Sequence, residues 1–170
     1  MRYATLRSPT SRVLALALGV ACTGGAAQAQ GPSWGAPDRA FAQYGIRSVV
    51  CHRTPDTSLC LGLACSRGAL ALVSVAGGGG PMDGPTRVSD GRSRFTLKFV
   101  FDPKAVDRLG LAASRADLTA AQLETLAHAA EITLSDEADP RIHHRFPTHG
   151  LAREGRRIAA ACGTPAGERR

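Results

Sequence analysis

The positions of the cysteines constrain this chain more than any other feature. Three fall at 51, 60 and 65 and a fourth at 162, with a fifth, Cys22, near the start. Residues 49–53 and 58–65 read as strands on either side of Thr54-Pro55-Asp56-Thr57, where Pro and Asp suit the corner of a turn. A turn centred between Pro55 and Asp56 sets Cys51 opposite Cys60, and directly opposed Cα atoms lie about 5.5 Å apart, within disulfide reach. Cys65 follows Cys60 at an odd offset, so a regular strand points the two thiols to opposite faces. Cys65 then needs a partner packed on the other face. Leu151, Gly155, Ile158 and Cys162 form one stripe of a C-terminal helix and supply it. The favoured pairing is Cys51–Cys60 with Cys65–Cys162, and the alternative is Cys60–Cys65 with Cys51–Cys162. No Cys-x-x-Cys occurs and the spacing is not that of a zinc site, so neither a redox motif nor a metal cofactor is expected.

An even set of disulfides calls for an oxidising compartment, and the N-terminus supplies a route to one. Arg2, Arg7 and Arg12 precede an apolar stretch over 13–21, which is too short to cross a bilayer, and Ala27-Gln28-Ala29 follows. This is the pattern of a secretory signal peptide over 1–29, cleaved between Ala29 and Gln30. Gly19-Val20-Ala21-Cys22 offers a lipoprotein through Cys22 as the minor alternative. The remainder suits one domain: a flexible lead-in over 30–45, a β-rich domain over 46–163 and a disordered tail over 164–170. No transmembrane segment is expected.

The charge balance says little about partners. There are 21 basic and 14 acidic residues, a net charge of +7; without the three leader arginines, 18 remain against 14, or +4. Lys98 and Lys104 are the only lysines, which with the abundant Ala and Gly fits a GC-rich bacterial genome. Apart from Arg153, Arg156 and Arg157 and the terminal Arg169-Arg170, the positive charges are dispersed. No recognition motif accompanies them, so no nucleic-acid partner is expected.

The periodicity gives the fold class: α+β, mainly antiparallel β in a sandwich-like sheet, with two helices. Residues 70–75 form an almost continuous apolar run, as in a strand covered on both faces. The glycines over 77–80 precede prolines, with no P-loop lysine, and read as a loop. Asp90-Gly91 signals a two-residue hairpin turn that sets Thr86 opposite Phe95 and Val88 opposite Ser93. Phe95, Leu97, Phe99 and Phe101 then alternate along the inner face. Thr119 and Gln122 form a capping box, stapled by Leu118 and Leu123, for a helix burying Leu123, Leu126, Ala127 and Ala130. Strands over 132–134 and 141–146 lead to the last helix, capped by Thr148 and stopped at Gly163.

Candidate chemistry is sparse. His143, His144 and His149 cluster in sequence, but adjacent strand residues face opposite sides, so they are poor metal ligands and better read as surface histidines. Asp136, Glu137 and Asp139 lack the spacing of a calcium loop and read as an acidic turn. Glu124 and His128 are placed to pair along a helix. No Gly-x-Ser-x-Gly occurs and no carboxylate pair stands out, so no catalytic residue is assigned.

The signal peptide, the Cys51-to-Cys60 hairpin, the alternating strands and a terminal Phe-Pro-x-x-Gly-Leu helix ending in Ala-Ala-Cys162 together resemble small exported alphaproteobacterial proteins of the invasion-associated locus B type. That family carries a tryptophan four residues before its first cysteine, where this chain has Arg47, and Trp34 lies farther upstream. The resemblance implies a secreted, β-sandwich-like domain and transfers no catalytic residue. The expectation is a non-enzymatic envelope or host-surface interaction module, periplasmic or secreted. Its rivals are a structural envelope protein and a hydrolase with a site assembled in space from one of the three histidines and a carboxylate.

The mature product isolated from a bacterial envelope is expected to begin at Gln30 and to gain about 4 Da on reduction, two hydrogens per bridge. An intact mass that retains a lipidated Cys22, or that reduction leaves unchanged, contradicts this.

Overall fold

The computed structural model describes residues 33–53, 58–77, 80–139 and 141–163. The signal peptide with Cys22, the Ala29–Gln30 junction, the turn over 54–57 and the tail over 164–170 lie outside them. In chain order the elements are α1 (Arg39–Tyr44), β1 (Ile46–Arg53), β2 (Ser58–Ser66), β3 (Ala69–Gly77), β4 (Gly84–Ser89), β5 (Arg94–Phe101), α2 (Lys104–Leu109), β6 (Ala112–Asp117), α3 (Ala120–Ala127), β7 (Glu131–Asp136), β8 (His143–Pro147) and α4 (Leu151–Cys162). The strands join in one sheet in the order β1-β2-β3-β6-β5-β4-β7-β8. Every neighbouring pair is antiparallel.

One continuous sheet therefore stands where two facing sheets were expected, and it curls until β1 and β8 meet, nearly closing a barrel. The segment that seals the seam is short. Gly35 bridges to Val49 on β1, the Trp34 amide donates to the His149 carbonyl at 3.0 Å, and the indole Nε1 donates to the Pro147 carbonyl at 3.0 Å. Residues 33–45, read from the sequence as a lead-in, thus place Trp34 in the core at 2 % exposure and form α1.

Two apolar layers result from the strict alternation of strand side chains. The larger one fills the barrel, with Leu61, Leu63, Leu72, Leu97, Phe99, Ile132, Leu134 and Phe146 joined by Leu123 and Leu126 of α3 and by Leu151 and Ile158 of α4. The smaller lies outside β1, β2, β3 and β6, where Cys60, Val73, Val75 and Ala113 pack under Phe41 and Tyr44 of α1 and Ala105 of α2. β3 is covered on both faces, as its apolar run predicts. Ser74 and Ser114 are opposed across β3 and β6 inside the barrel, and both are satisfied by the loop that follows β3. The Met82 amide donates to Ser74 Oγ at 3.2 Å and Ser114 Oγ donates to the Met82 carbonyl.

The disulfides connect as the hairpin geometry requires. Cys51 faces Cys60 in the β1–β2 register and is bonded to it, and Cys65 is bonded to Cys162. The first pair belongs to the outer layer and Cys162 to the inner one, so the two bridges serve opposite faces of β2. Bridging residues 97 apart ties α4 to the end of β2 and stabilises by roughly 4–5 kcal/mol through the closed loop.

Several local expectations are corrected. The β4–β5 hairpin pairs Val88 with Phe95 and Thr86 with Leu97, two residues away from the two-residue-turn register. Asp90 is the cause: its carboxylate accepts from the Arg92 amide at 2.7 Å and from the Ser93 amide, which opens the connection to four residues. A slip of two preserves the faces, so Phe95, Leu97 and Phe99 still point inward. Phe101 does not follow them, being 41 % exposed at the strand end.

Thr148 is not the cap of α4, because its hydroxyl donates to the Ala129 carbonyl. Gly150 takes that place at φ 88°, with the Trp34 carbonyl 2.9 Å from where a Cβ would sit. Only glycine combines that backbone with that contact. The capping box of α3 forms as expected, but the helix ends at Ala127 and leaves Ala130 exposed. Four helices appear among the described residues instead of two. α1 and α2 are each a single short amphipathic turn, and β6 (AASRAD) has a composition poor in strand formers. Pairing on both sides with β3 and β5 holds β6 extended.

Trp34→Ala is expected to cost about 3–5 kcal/mol of unfolding free energy. Trp34→Phe should cost less, since it keeps most of the apolar volume and loses only the bond to Pro147. Denaturant titration of both variants checks this, and a loss under about 1 kcal/mol for Trp34→Ala would remove the seam from its central place.

Candidate functional site

The outer surface of β5 and β6 changes character where α2 leaves the sheet. Asp102 ends β5, and its amide donates to the Ala113 carbonyl at 2.9 Å while its Oδ1 accepts the Lys104 amide at 3.1 Å, starting α2. The other oxygen, Oδ2, accepts the Tyr44 hydroxyl at 2.5 Å and stands 3.5 Å from Arg115 Nε. The Arg115 guanidinium lies over the Tyr44 ring, 4.4 Å from its centroid. Tyr44, Asp102 and Arg115 so lock α1, the β5–α2 corner and β6 together. The Tyr44 hydroxyl, opposed by burial and helped by the Lys104 amide and the Arg115 charge, holds the Asp102 carboxyl below its usual range. Burial and then the Asp102 bond push the Tyr44 phenol up. A cation stacked on an aromatic ring and paired with a carboxylate is fixed in direction.

Beside this lock opens a groove of about 300 Å³. Lys98, Val100 and Phe101 line it from β5, Arg115 and Asp117 from β6, and Ser66 and Arg67 from the β2–β3 turn. Arg67 holds φ 52° and Gly68 φ 81°, the left-handed pair that a two-residue hairpin requires. A non-glycine residue pays for that conformation in backbone strain, and the turn holds Arg67 at the groove's lip. Val100, at 59 % exposure, and Phe101 are large apolar groups left open to water. Among the described residues neither Arg67 nor Lys98 makes an ion pair. Unpaired cations flanking an exposed apolar surface, with Asp117 also in the lining, form a site suited to recognition of a carboxylate next to an apolar group.

The residues singled out from sequence are not gathered into one place. His143 and His144 stand at the start of β8 and His149 beyond its end. His143 is exposed, with Nδ1 3.1 Å from the Arg141 carbonyl. His144 is half-buried, with His52 of β1 and His143 as its titratable neighbours. His149 lines a separate hollow of about 420 Å³ among Ala127, Ala129, Ala130 and Thr148. Among the described residues none of these three pairs with a carboxylate, and no group of three His, Cys, Asp or Glu is set to hold a metal. The acidic turn is used internally: Asp136 accepts the Ala138 and Asp139 amides, Asp139 holds Arg141 with both oxygens, and Glu137 accepts the Thr96 hydroxyl at 2.7 Å. Glu124 and His128 do approach, at 3.9 Å on an exposed face.

Sequence reasoning missed the groove entirely. The signals available were Arg67-Gly68 as a tight-turn pair after one strand, and Val100 at an outward position of another.

Burial, then the charges of His52 and His143, lowers the pKa of His144 below the ordinary 6.5. The folded state then binds fewer protons than the unfolded one. The associated stability is full above 6.5 and is lost as pH falls through the lowered folded value. The denaturation midpoint is expected to decline as pH falls below 6.5. His144→Gln should flatten that decline, and identical slopes in the two proteins would contradict the assignment.

Compared with known proteins, the chain matches no family model, no curated protein and no solved structure.

Proposed function

We propose that this protein is an exported, disulfide-stapled interaction module, periplasmic or secreted, that engages an envelope or host-surface component through the groove between β5, β6 and the β2–β3 turn. The observation that carries the reading is the pairing of two uncompensated cations, Arg67 and Lys98, with the exposed Val100 and Phe101 in one concavity. The Tyr44–Asp102–Arg115 lock supports it, because it makes one wall of the groove rigid before any partner arrives. The disulfides are compatible with life in an oxidising compartment. Among the described residues no helix is long and apolar enough to cross a membrane. The likeness to invasion-associated locus B proteins belongs to the same proposal, which places the chain among secreted β-rich domains.

A partner segment with a carboxylate beside an apolar side chain fits the groove. Its carboxylate meets Arg67 or Lys98 while its apolar group covers Phe101. A photo-crosslinking residue placed at Val100 in living cells is expected to yield one adduct of defined mass. Combining it with Lys98→Glu and Arg67→Glu should reduce that adduct at least about tenfold, as for loss of central charged contacts. No adduct, or one indifferent to both charge reversals, overturns the reading.

A further inference from the structure

A second feature lies next to the groove but does not depend on its shape. The outer faces of β1, β2, β3 and β6 are covered by α1 and α2, whereas the outward residues of β5, β4 and β8 stand exposed: Arg94, Thr96 and Lys98, then Arg87, then His143 and Arg145. The registers convert this into a pattern. Arg87 sits opposite Thr96, so Lys98 and Arg94 are its diagonal neighbours on β5, about 7–8 Å away. On the other side Arg87 faces Ser135, which faces His143. One step along, Arg94 faces Ser89, Ser89 faces Thr133, and Thr133 faces Arg145. Arg87 thus lies between the hydroxyls of Thr96 and Ser135, and Arg94 and Arg145 flank those of Ser89 and Thr133.

The fold does little to neutralise them. Arg145 approaches Glu131 at 3.8 Å, and Glu137 is engaged by the Thr96 hydroxyl. Among the described residues Arg87, Arg94 and Lys98 make no ion pair. Cations gathered on one surface without acidic partners in the fold build up a positive potential there. Their presence on one uncovered face therefore calls for an external counter-charge.

From this complementarity we infer that the outer face of β5, β4, β7 and β8 binds an anionic polysaccharide. A chain of acidic sugars presents carboxylate or sulfate groups for the cations and hydroxyls for the interleaved Ser and Thr side chains, in a register a flexible polymer can adjust. A nucleic acid fits less well. The outward positions of this face carry no Phe, Tyr or Trp on which bases could stack, and the outside of a curled sheet is convex, with no element to enter a groove. The inference rests on reading the protein as a binding module and names a second contact for it, on residues other than Arg67, Val100 and Phe101.

The test uses the full mature chain and a fluorescent heparin oligosaccharide, with neutral dextran, a short DNA duplex and phosphatidylglycerol vesicles as comparisons. Heparin is expected to bind, dextran not, and the logarithmic salt slope should fall by about one for each cation removed. The triple variant Arg87→Gln, Arg94→Gln, Arg145→Gln should bind heparin at least about tenfold more weakly. Its melting temperature should be unchanged or higher, since the fold loses a repulsive cluster and no buried contact. Unaltered heparin affinity in this variant overturns the inference, as does tighter binding of the duplex or of the vesicles than of heparin. Lys98 belongs to both surfaces, so the single groove variant Arg67→Glu, which lies outside this face, reports on the other reading. Loss of the Val100 adduct with heparin binding lost only in the triple variant upholds both, and each can fail while the other stands.

Discussion

The closure of the sheet at Trp34 is the contact on which the other features depend. An open antiparallel sheet would leave β1 and β8 as edges with unpaired backbone groups. The fold avoids this with a two-residue segment instead of a ninth strand. Gly35 satisfies β1, the Trp34 amide and indole satisfy the carbonyls of His149 and Pro147, and the ring fills the inner layer. The same contact dictates the glycine at 150, because the Trp34 carbonyl occupies the space a side chain would need. The start of α4 is set by that glycine, and α4 carries Cys162 to Cys65. The seam, the last helix and the long-range disulfide therefore form one connected arrangement.

Division of the apolar side chains into two layers leaves the proposed binding surfaces where they are. Covering the outer face of half the sheet consumes α1 and α2, and the barrel interior consumes α3 and α4. Among the described residues no helix covers the other half, and most of its outward positions are polar or charged. The groove lies at the border between the halves, where Val100 and Phe101 pass beyond the last cover and Asp102 turns the chain into α2. A covered half beside an uncovered one suits the proposed role, in which the protein holds its shape while presenting a face. His144, on β8 near the seam, falls outside that layout; its lowered pKa bears on stability toward acid instead.

What was legible in the sequence is what local chemistry controls. The β1–β2 register, with Cys51 opposite Cys60, is the one that Pro55 and Asp56 as turn residues lead one to expect. The α3 cap follows from Thr119 and Gln122, and the buried stripe of α4 from helical periodicity. The hairpin at Asp90 was half legible. Its faces were right because parity survives a two-residue slip, and its register was not, because the Asp90 side chain captured amides that a two-residue turn leaves outside. β6, the short helices and the cap at Gly150 were illegible, since each owes its form to a distant neighbour.

The sequence by itself therefore pointed to the favoured disulfide pairing, the β-rich class and the inward Phe95, Leu97 and Phe99 of β5, because turn chemistry and side-chain alternation act over a few residues. Only the tertiary structure decided that the strands make one nearly closed sheet, that Trp34 seals it and that Arg67, Lys98 and Arg115 converge on a groove. Those outcomes depend on which surfaces meet after the chain has folded. They bring together residues as far apart as Trp34 and Pro147, 113 positions along the chain, and no local pattern encodes a contact between segments that distant.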